Sequence, residues 1–326
     1  MSNALIVGGT RFIGRHLVEE LLEHDYEVTI FNRGNHENPF ADHNDVGHVK
    51  GDRTSDAALE HARDEVDPDV VVDCVAYYPG EVRKATEIFA DVEAYVFISS
   101  GSAYGPDEIP KRESQTDLEP CTEEQAVDDS HETYGARKAE GDRAVFEAAE
   151  NGVRAMSVRP TIVYGPHDYT GRLNYWTERV CEQDRVLVPG DGTNIHHLVA
   201  VQNVVRAIRT VAEEGKAGEA YNVGDHRVLT LGEVVETIAD GLDAEVEIVT
   251  ACDRELADGD LESTDFPLYN PNPHILSTTK LHELGWEPVD PAEAIAETVT
   301  TEYETERDPG PEPTDTAAVL DRLDGQ

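Results

Sequence analysis

"ALIVGGTRFIGRHLVEELLEHDYEVTIF", residues 4–31, decides the fold. A four-residue apolar run, Ala4 to Val7, leads into a glycine-bearing loop. The loop is followed by Leu17, Val18, Leu21 and Leu22 at helical spacing, and then by an alternating segment ending at Phe31. Strand, tight loop, helix and strand in this order are the setting of a dinucleotide-type phosphate-binding loop. There the helix N-terminus offers N–H groups and partial positive charge to a pyrophosphate. Glycines stand at 8, 9 and 14, but Arg11 occupies the middle position, where a glycine would let backbone approach the phosphates without a Cβ. A glycine pattern alone has little specificity, so the residues downstream have to supply it.

The second strand ends in Asn32, Arg33 and Gly34, where a fold that selects NAD places an acid to hold the ribose 2′-hydroxyl. Arg33 and Arg11 offer two guanidinium groups suited to clasping a 2′-phosphate by charge-assisted hydrogen bonds, which favours NADP. The alternative is a solvated Arg33 with NAD as the cofactor.

Further along, "GHVKGDRTS" reads as a short strand followed by Asp52 and Arg53, and "DAALEHARDEV" as a helix. "PDVVVDCVAY" and "AYVFISS" are continuous apolar runs of the kind buried on both faces of a parallel sheet, with a helix over 80–91 between them. A helix over 131–151 and one strand, "RAMSVRPTIVYG", follow. This rhythm predicts an α/β fold with a doubly wound parallel (Rossmann) sheet, whose ligands bind at the carboxyl ends of the strands. The expected organisation is a dinucleotide-binding domain over 1–166, its sheet completed by about 195–230. A smaller C-terminal substrate or lid domain is expected from 167–194 and 231–303, including a polar acidic loop over 252–273. An acidic flexible tail is expected over 304–326, in which "AAVLDRL" forms at most one or two helical turns.

The chain has 326 residues and a net charge of -42, from 68 acidic against 26 basic residues, of which six are lysine. The acids are spread along the chain, not gathered in blocks. They read as a hydrated surface whose self-repulsion is screened in a salt-rich cytoplasm, hence a halophile. Cys74, Cys121, Cys181 and Cys252 form neither a CxxC pair nor a zinc spacing, which points to free thiols in a reducing compartment. No apolar run reaches the length of about 18 residues that a transmembrane helix needs, and the N-terminus enters a strand at once, so neither a membrane span nor a signal peptide is expected. His196 and His197 are adjacent on a predicted strand and point to opposite faces, so no metal site is expected.

Chemistry enters with "YGARK", which puts Tyr134 and Lys138 at i and i+4 on one helix face. An ammonium beside a phenol stabilises the phenolate and fits Tyr134 as a general base near neutral pH. Lys138 is also suited to a hydrogen bond with a nicotinamide ribose. Ser100 ends a buried strand, where its hydroxyl would hold the substrate oxygen in line with the tyrosine.

"GGTRFIG", "GDRTSD", "SSGSAYG", "YGARK", "RPTIVYGP", "GEAYNVG" and "LGWEP", in this order from residue 4 to about 300, resemble the extended short-chain dehydrogenases/reductases of the NAD-dependent epimerase/dehydratase family. The arginine-bearing loop with "FNRG" is more similar to an atypical branch that includes the chloroplast stem-loop RNA-binding proteins. The resemblance implies catalytic roles for Ser100, Tyr134 and Lys138. It also implies a cofactor lined by Gly8, Gly9, Thr10, Arg11, Phe12, Ile13, Gly14, Asn32, Arg33, Asp52, Arg53, Val75, Ala76, Tyr134, Lys138 and Pro160. Its departures narrow the substrate. Gly101 and Ser102 stand where dehydratases carry an Asp-Glu pair, which disfavours removal of water. His196 and Asn203 replace an arginine and an aspartate of sugar-nucleotide epimerases, which removes one clamp for a diphosphate. Arg172, in "HDYTGRLNYW", is a candidate for an anionic group, against the alternative that this segment's aromatics are simply core. The expected protein is an NAD(P)-dependent epimerase or reductase acting on a small molecule, a sugar or sugar-nucleotide-like secondary alcohol, and working as a homodimer. The alternative is a non-catalytic or RNA-binding protein, although a chain this acidic offers few basic patches to nucleic acid.

Overall fold

The structure is a computed structural model and describes residues 2–301, 305 and 309–324. From the N-terminus, β1 (Asn3–Val7), α1 (Phe12–Glu23), β2 (Glu27–Asn32), β3 (Val46–Lys50), α2 (Asp56–Val66), β4 (Val70–Asp73), α3 (Pro79–Ile88), β5 (Ala94–Ile98), α4 (Tyr134–Glu150) and β6 (Ala155–Pro160) follow one another. The chain continues through β7 (Ile162–Tyr164), α5 (Arg172–Glu182), β8 (Arg185–Pro189) and β9 (Leu198–Ala200), then α6 (Val201–Glu214) and β10 (Ala220–Val223). After these come α7 (Leu231–Gly241), β11 (Glu247–Ala251), α8 (Asp253–Leu256), α9 (Thr279–His282), α10 (Pro291–Thr300) and α11 (Pro313–Asp324). Two compact units divide the chain, one from Met1–Thr161, Val201–Gly224 and Leu276–Pro288, the other from Ile162–Ala200, Asp225–Ile275 and Val289–Gln326.

The first unit is a seven-stranded sheet in the order β10-β6-β5-β4-β1-β2-β3, with every pairing parallel. Residues Ala4–Val7, all of β4 and all of β5 are buried, as strands covered on both faces by helices must be. The chain runs outward from β1 through β2 to β3, then restarts at β4 on the other side. The reversal makes the carboxyl ends of β1 and β4 the topological switch point, where such sheets bind ligands. Leu276–Pro288, expected within the lid, belongs to this unit. Trp286 is fully buried, and its indole N–H donates to the Asn203 carbonyl at 3.0 Å, an anchor that outweighs the segment's polar composition.

The expected single strand "RAMSVRPTIVYG" divides at Thr161. The Thr161 N–H donates to the Val223 carbonyl (3.0 Å), the last rung of β6 against β10. β7 then pairs with β9 in the second unit. The first unit's opening segment therefore ends at 161 instead of 166, and residues 195–200 lie outside its sheet.

In the second unit β8 pairs with β11 and β7 with β9, both parallel. Its core gathers Trp176, Tyr175, Leu187, Ile238, Ile295 and Phe266. Residues 252–273 are not the polar loop expected, because Leu256, Leu261 and Phe266 fold into that core. The expectation of a loose tail is likewise corrected over 313–324: α11 buries Val319 and Leu320 in the same cluster. Residues 304, 306–308 and 325–326 of that tail lie outside the described residues. Among the described residues no helix is long and apolar enough to cross a membrane.

Candidate active site

The glycine loop is built by close approach. Gly9 takes φ +91°, and a Cβ there would sit 2.5 Å from Ile30 Cγ2. A Cβ on Gly14 would sit 2.5 Å from the Gly9 main-chain nitrogen, so α1 starts directly against the loop. Arg11 is the N-cap residue of α1 but makes no side-chain cap bond, and no acid stands in the first turn. The helix's positive end therefore has no carboxylate of its own, as an anion-binding end requires. Phe12, with its ring buried, holds φ +29°, a conformation that non-glycine residues rarely adopt and that persists where packing enforces it. Thr10 and Ile13 are half-buried on either side of it. The turn after β4 lies against this loop, since a Cβ on Gly8 would meet Val75 Cγ1 and Cys74 Cβ at 3.3 Å.

Beyond β2 the expected selector residues divide. Asn32 is drawn into the fold, its Oδ1 accepting from Gly34 N (2.7 Å) and its Nδ2 donating to Gly8 O (3.4 Å), so it staples the strand end to the glycine loop. Arg33 stays exposed. Asp52 accepts from the N–H and the hydroxyl of Thr54 (2.9 and 2.7 Å), bonds that hold its carboxyl below the usual carboxylate range. Arg53, expected at the cofactor, is paired within the fold: its Nη2 meets the buried Asp73, and its Nη1 lies 3.9 Å from Glu81. A guanidinium in that buried environment is held by its carboxylate, because an unpaired buried charge is far more costly than a paired one.

Lys138 is buried over the ends of β4 and β5. Its Nζ donates to the carbonyls of Ala76 and Ile98, both at 2.8 Å, and lies 5.8 Å from the centroid of the Tyr134 ring. The rings of Phe97 and Tyr77 stand at 4.8 and 5.1 Å. Burial pushes the Lys138 ammonium down to about 8, against the pull of Asp73, Asp142, Glu81 and Cys74. Ser100 opens a 3₁₀ turn at the end of β5, where its Oγ accepts from Ser102 N (3.1 Å). That turn packs on the first turn of α4: a Cβ on Gly135 would collide with the Ser102 carbonyl. Ser100, Tyr134 and Lys138 are thus placed around the β4 and β5 ends, with the buried Pro160 ending the neighbouring β6.

Sequence reasoning missed two residues that hold this arrangement. Arg137 is buried and donates to Thr133 Oγ1 (3.2 Å), Tyr77 O (3.2 Å) and Ser130 O (3.0 Å), tying the approach to α4 to the turn after β4. Asp73 accepts from Tyr95 OH and Val75 N, both at 3.2 Å, besides Arg53. A charged residue ending the apolar run "VVVD" was the available signal, since a buried carboxylate must have partners.

In the second unit Tyr175 and Trp176 are core, with Trp176 Nε1 donating to Pro267 O at 3.0 Å. Arg172 donates through Nε to Thr170 Oγ1 at 3.1 Å. Burial pushes His196 down to about 4, with His274 and Arg172 adding positive charge beside it. His197 bonds the Asp225 carbonyl at 2.8 Å.

Residues 4–90 and 84–224 match the profile of the NAD dependent epimerase/dehydratase family. The chain belongs to that family. Among relatives it is 28% identical to a chloroplast stem-loop binding protein of 41 kDa from Arabidopsis thaliana, over 87% of this chain and 74% of the relative. It is 28% identical to a dTDP-glucose 4,6-dehydratase from Streptomyces niveus, over 90% and 91%. It is 25% identical to the low-salt glycan biosynthesis protein Agl12 of Haloferax volcanii, over 88% and 93%. Among solved structures of the same fold, the UDP-glucose 4-epimerase of Thermotoga maritima superposes with a TM-score of 0.72 at 23% identity, covering 91% of this chain and 97% of that one. The dTDP-glucose 4,6-dehydratase of Bacillus anthracis, solved with NAD, gives 0.71 at 23% identity, covering 92% and 96%.

Proposed function

We propose that this family member is an NAD(P)-dependent oxidoreductase or epimerase acting on a secondary alcohol of a sugar or sugar-nucleotide-like substrate. The observation that carries the proposal is Lys138, buried at the carboxyl ends of β4 and β5 and held 5.8 Å from the Tyr134 ring. A nicotinamide dinucleotide, when bound, supplies the hydride acceptor. The fit of this chain to such a group rests on the loop at Gly8, Gly9 and Gly14, where added Cβ atoms would fill the approach to the start of α1. Tyr134, kept as the phenolate by the Lys138 ammonium, accepts the hydroxyl proton of the substrate as hydride leaves the carbon and becomes the neutral phenol. Ser100 orients the substrate oxygen by hydrogen bond. Gly101 and Ser102, in place of two acids, favour epimerisation or reduction over loss of water. Arg11 at the N-cap of α1 and Arg33 after β2 favour a 2′-phosphate, hence NADP.

The test uses a panel of sugar nucleotides and both nicotinamide cofactors, with net redox turnover read by the near-ultraviolet absorbance of the reduced ring and epimerisation, which leaves no net reduced cofactor, read by NMR of the sugar product. Tyr134→Phe is expected to lose about 10²–10⁴-fold in turnover while binding cofactor as tightly as the wild type. Full activity in that variant ends the assignment. The likeness to a stem-loop binding protein supports a second reading, RNA binding. Retention of RNA on a filter at high salt, where phosphate contacts to a basic patch weaken, would favour it.

A further inference from the structure

Asp73 ends the buried β4 run with a carboxylate that is 0% exposed. Three groups converge on it: Arg53 through Nη2, the Tyr95 hydroxyl at 3.2 Å and the Val75 N–H at 3.2 Å. Arg53 is itself backed by Glu81, 3.9 Å away, whose carboxylate also accepts from Tyr77 N and Tyr78 N at the start of α3. A buried ion pair is a poor source of stability, since well-packed apolar residues of the same volume often do better. Its position accounts for it instead. The Asp73–Val75 bond closes a tight turn, and the next residue, Ala76, presents the carbonyl that receives Lys138 Nζ at 2.8 Å.

We propose that Asp73, clamped by Arg53 and Tyr95, is a positioning residue: it fixes the turn whose Ala76 carbonyl holds Lys138, and its charge keeps that lysine an ammonium. The inference rests on Lys138 being the lysine of the site proposed above. The groups facing Lys138 are Asp73 and Cys74 from the β4 end, Glu81 from α3, and Asp142 and Tyr134 from its own helix, together with the rings of Tyr77 and Phe97. All three carboxylates have partners of their own, Asp142 with Arg159 Nε at 2.8 Å and Glu81 with the start of α3, but only Asp73 also bonds the turn that presents the Ala76 carbonyl to Lys138. Among the charges that oppose the burial of Lys138, Asp73 acts most strongly.

The chain's six lysines make the experiment direct. Lysine carrying ¹³C at Cε gives six signals in the full-length protein, and Lys138→Arg identifies the one that belongs to Lys138. Asp73→Asn keeps an oxygen for Val75 N and removes the charge. The Lys138 midpoint is expected to fall by about one pH unit or more, the scale set by a nearby opposite charge. Mere loosening of the site moves the midpoint the other way, toward the free-lysine value of about 10.4, so an unchanged or raised midpoint overturns the proposal. If Asp73→Asn does not fold, Arg53→Gln leaves the carboxylate facing Lys138 alone and raises the midpoint, and Arg53→Lys brings it back to the wild-type value. No shift in Arg53→Gln, or an equal rise in both variants, overturns the proposal as well. The titration requires no turnover. A Tyr134→Phe protein that stays active therefore sinks the hydride-transfer reading, whereas the lysine titration sinks only this one.

Discussion

Gly14→Ala isolates what the glycine loop is for. The new Cβ would lie 2.5 Å from Gly9 N and 2.9 Å from Gly9 Cα, both main-chain atoms and both inside the 3.0 Å that real Cβ atoms respect. The loop and the start of α1 must separate by roughly half an ångström, an overpacking cost of about 1–3 kcal/mol. The change also removes a glycine from a helix, which returns up to about 1 kcal/mol. The two effects leave a net loss of about 0–3 kcal/mol, so the melting temperature is expected to fall by only a few degrees. Dinucleotide binding is affected differently, because the helix N-terminus is withdrawn from the phosphates. Its interaction with an anion is worth up to about 2 kcal/mol in partly buried geometry, which corresponds to a weakening of up to roughly 30-fold. The assay is titration of reduced NAD and NADP by nicotinamide fluorescence, with thermal unfolding in parallel. Affinity within threefold of wild type for both cofactors, in a folded variant, refutes the assignment of this loop to a dinucleotide phosphate.

Lys138→Met tests the buried ammonium through stability. Its value of about 8 in the folded protein lies below that of the free side chain. The unfolded chain therefore holds the extra proton between pH 8 and about 10.4, and wild-type stability rises with pH across that window. The variant lacks this rise, so its stability advantage or deficit relative to wild type should shift against it by about 3 kcal/mol from pH 8 to 10.4 in urea unfolding; a constant difference means Lys138 titrates normally. The net charge of -42 predicts a second dependence. Raising KCl from 0.1 M to 1 M shortens the screening length from about 10 to 3 Å and should raise the melting temperature by at least roughly 5 °C, equivalent to about 3 kcal/mol at this chain length. A flat or falling melting temperature removes the basis for a salt-adapted surface.

The first unit was legible because its sheet is buried on both faces, so β1, β4 and β5 announce themselves as uninterrupted apolar runs. The YGARK spacing on α4 was legible for the same local reason, the period of a helix. What stayed hidden depends on partners distant in sequence. Thr161 breaks an apparently continuous strand because its N–H completes the ladder to Val223, 62 residues away by numbering. Trp286 carries its segment into the first unit because Asn203 offers a carbonyl. Val319 and Leu320 look too sparse to order an acidic tail, yet a core formed by α7, α10 and the 256–266 segment gives them a place. The pairing of Arg53 with Asp73, 20 residues on, likewise has no signal in its motif.

The distribution of the chain's cations bears on enzyme against nucleic-acid binder. A polyanion is bound by lysines and arginines that face solvent and release counterions when neutralised. Here Lys111, Arg137, Lys138, Arg159 and Arg179 are buried. Arg159 answers Asp142, and Arg179 donates to the Pro311 carbonyl. Of the more exposed cations, Arg63, Arg83, Lys84, Arg143, Arg185 and Arg322 each lie within 4 Å of an acid. Cations already facing carboxylates on a surface of strong net negative charge attract phosphate weakly, and less so as salt screens them. Burying and pairing cations does, on the other hand, suit a site that needs one ammonium beside one phenol in a place from which water is excluded. The same sequence that makes a phosphate backbone a poor partner thus makes Lys138 a strong electrostatic element, and that asymmetry favours chemistry on a small alcohol.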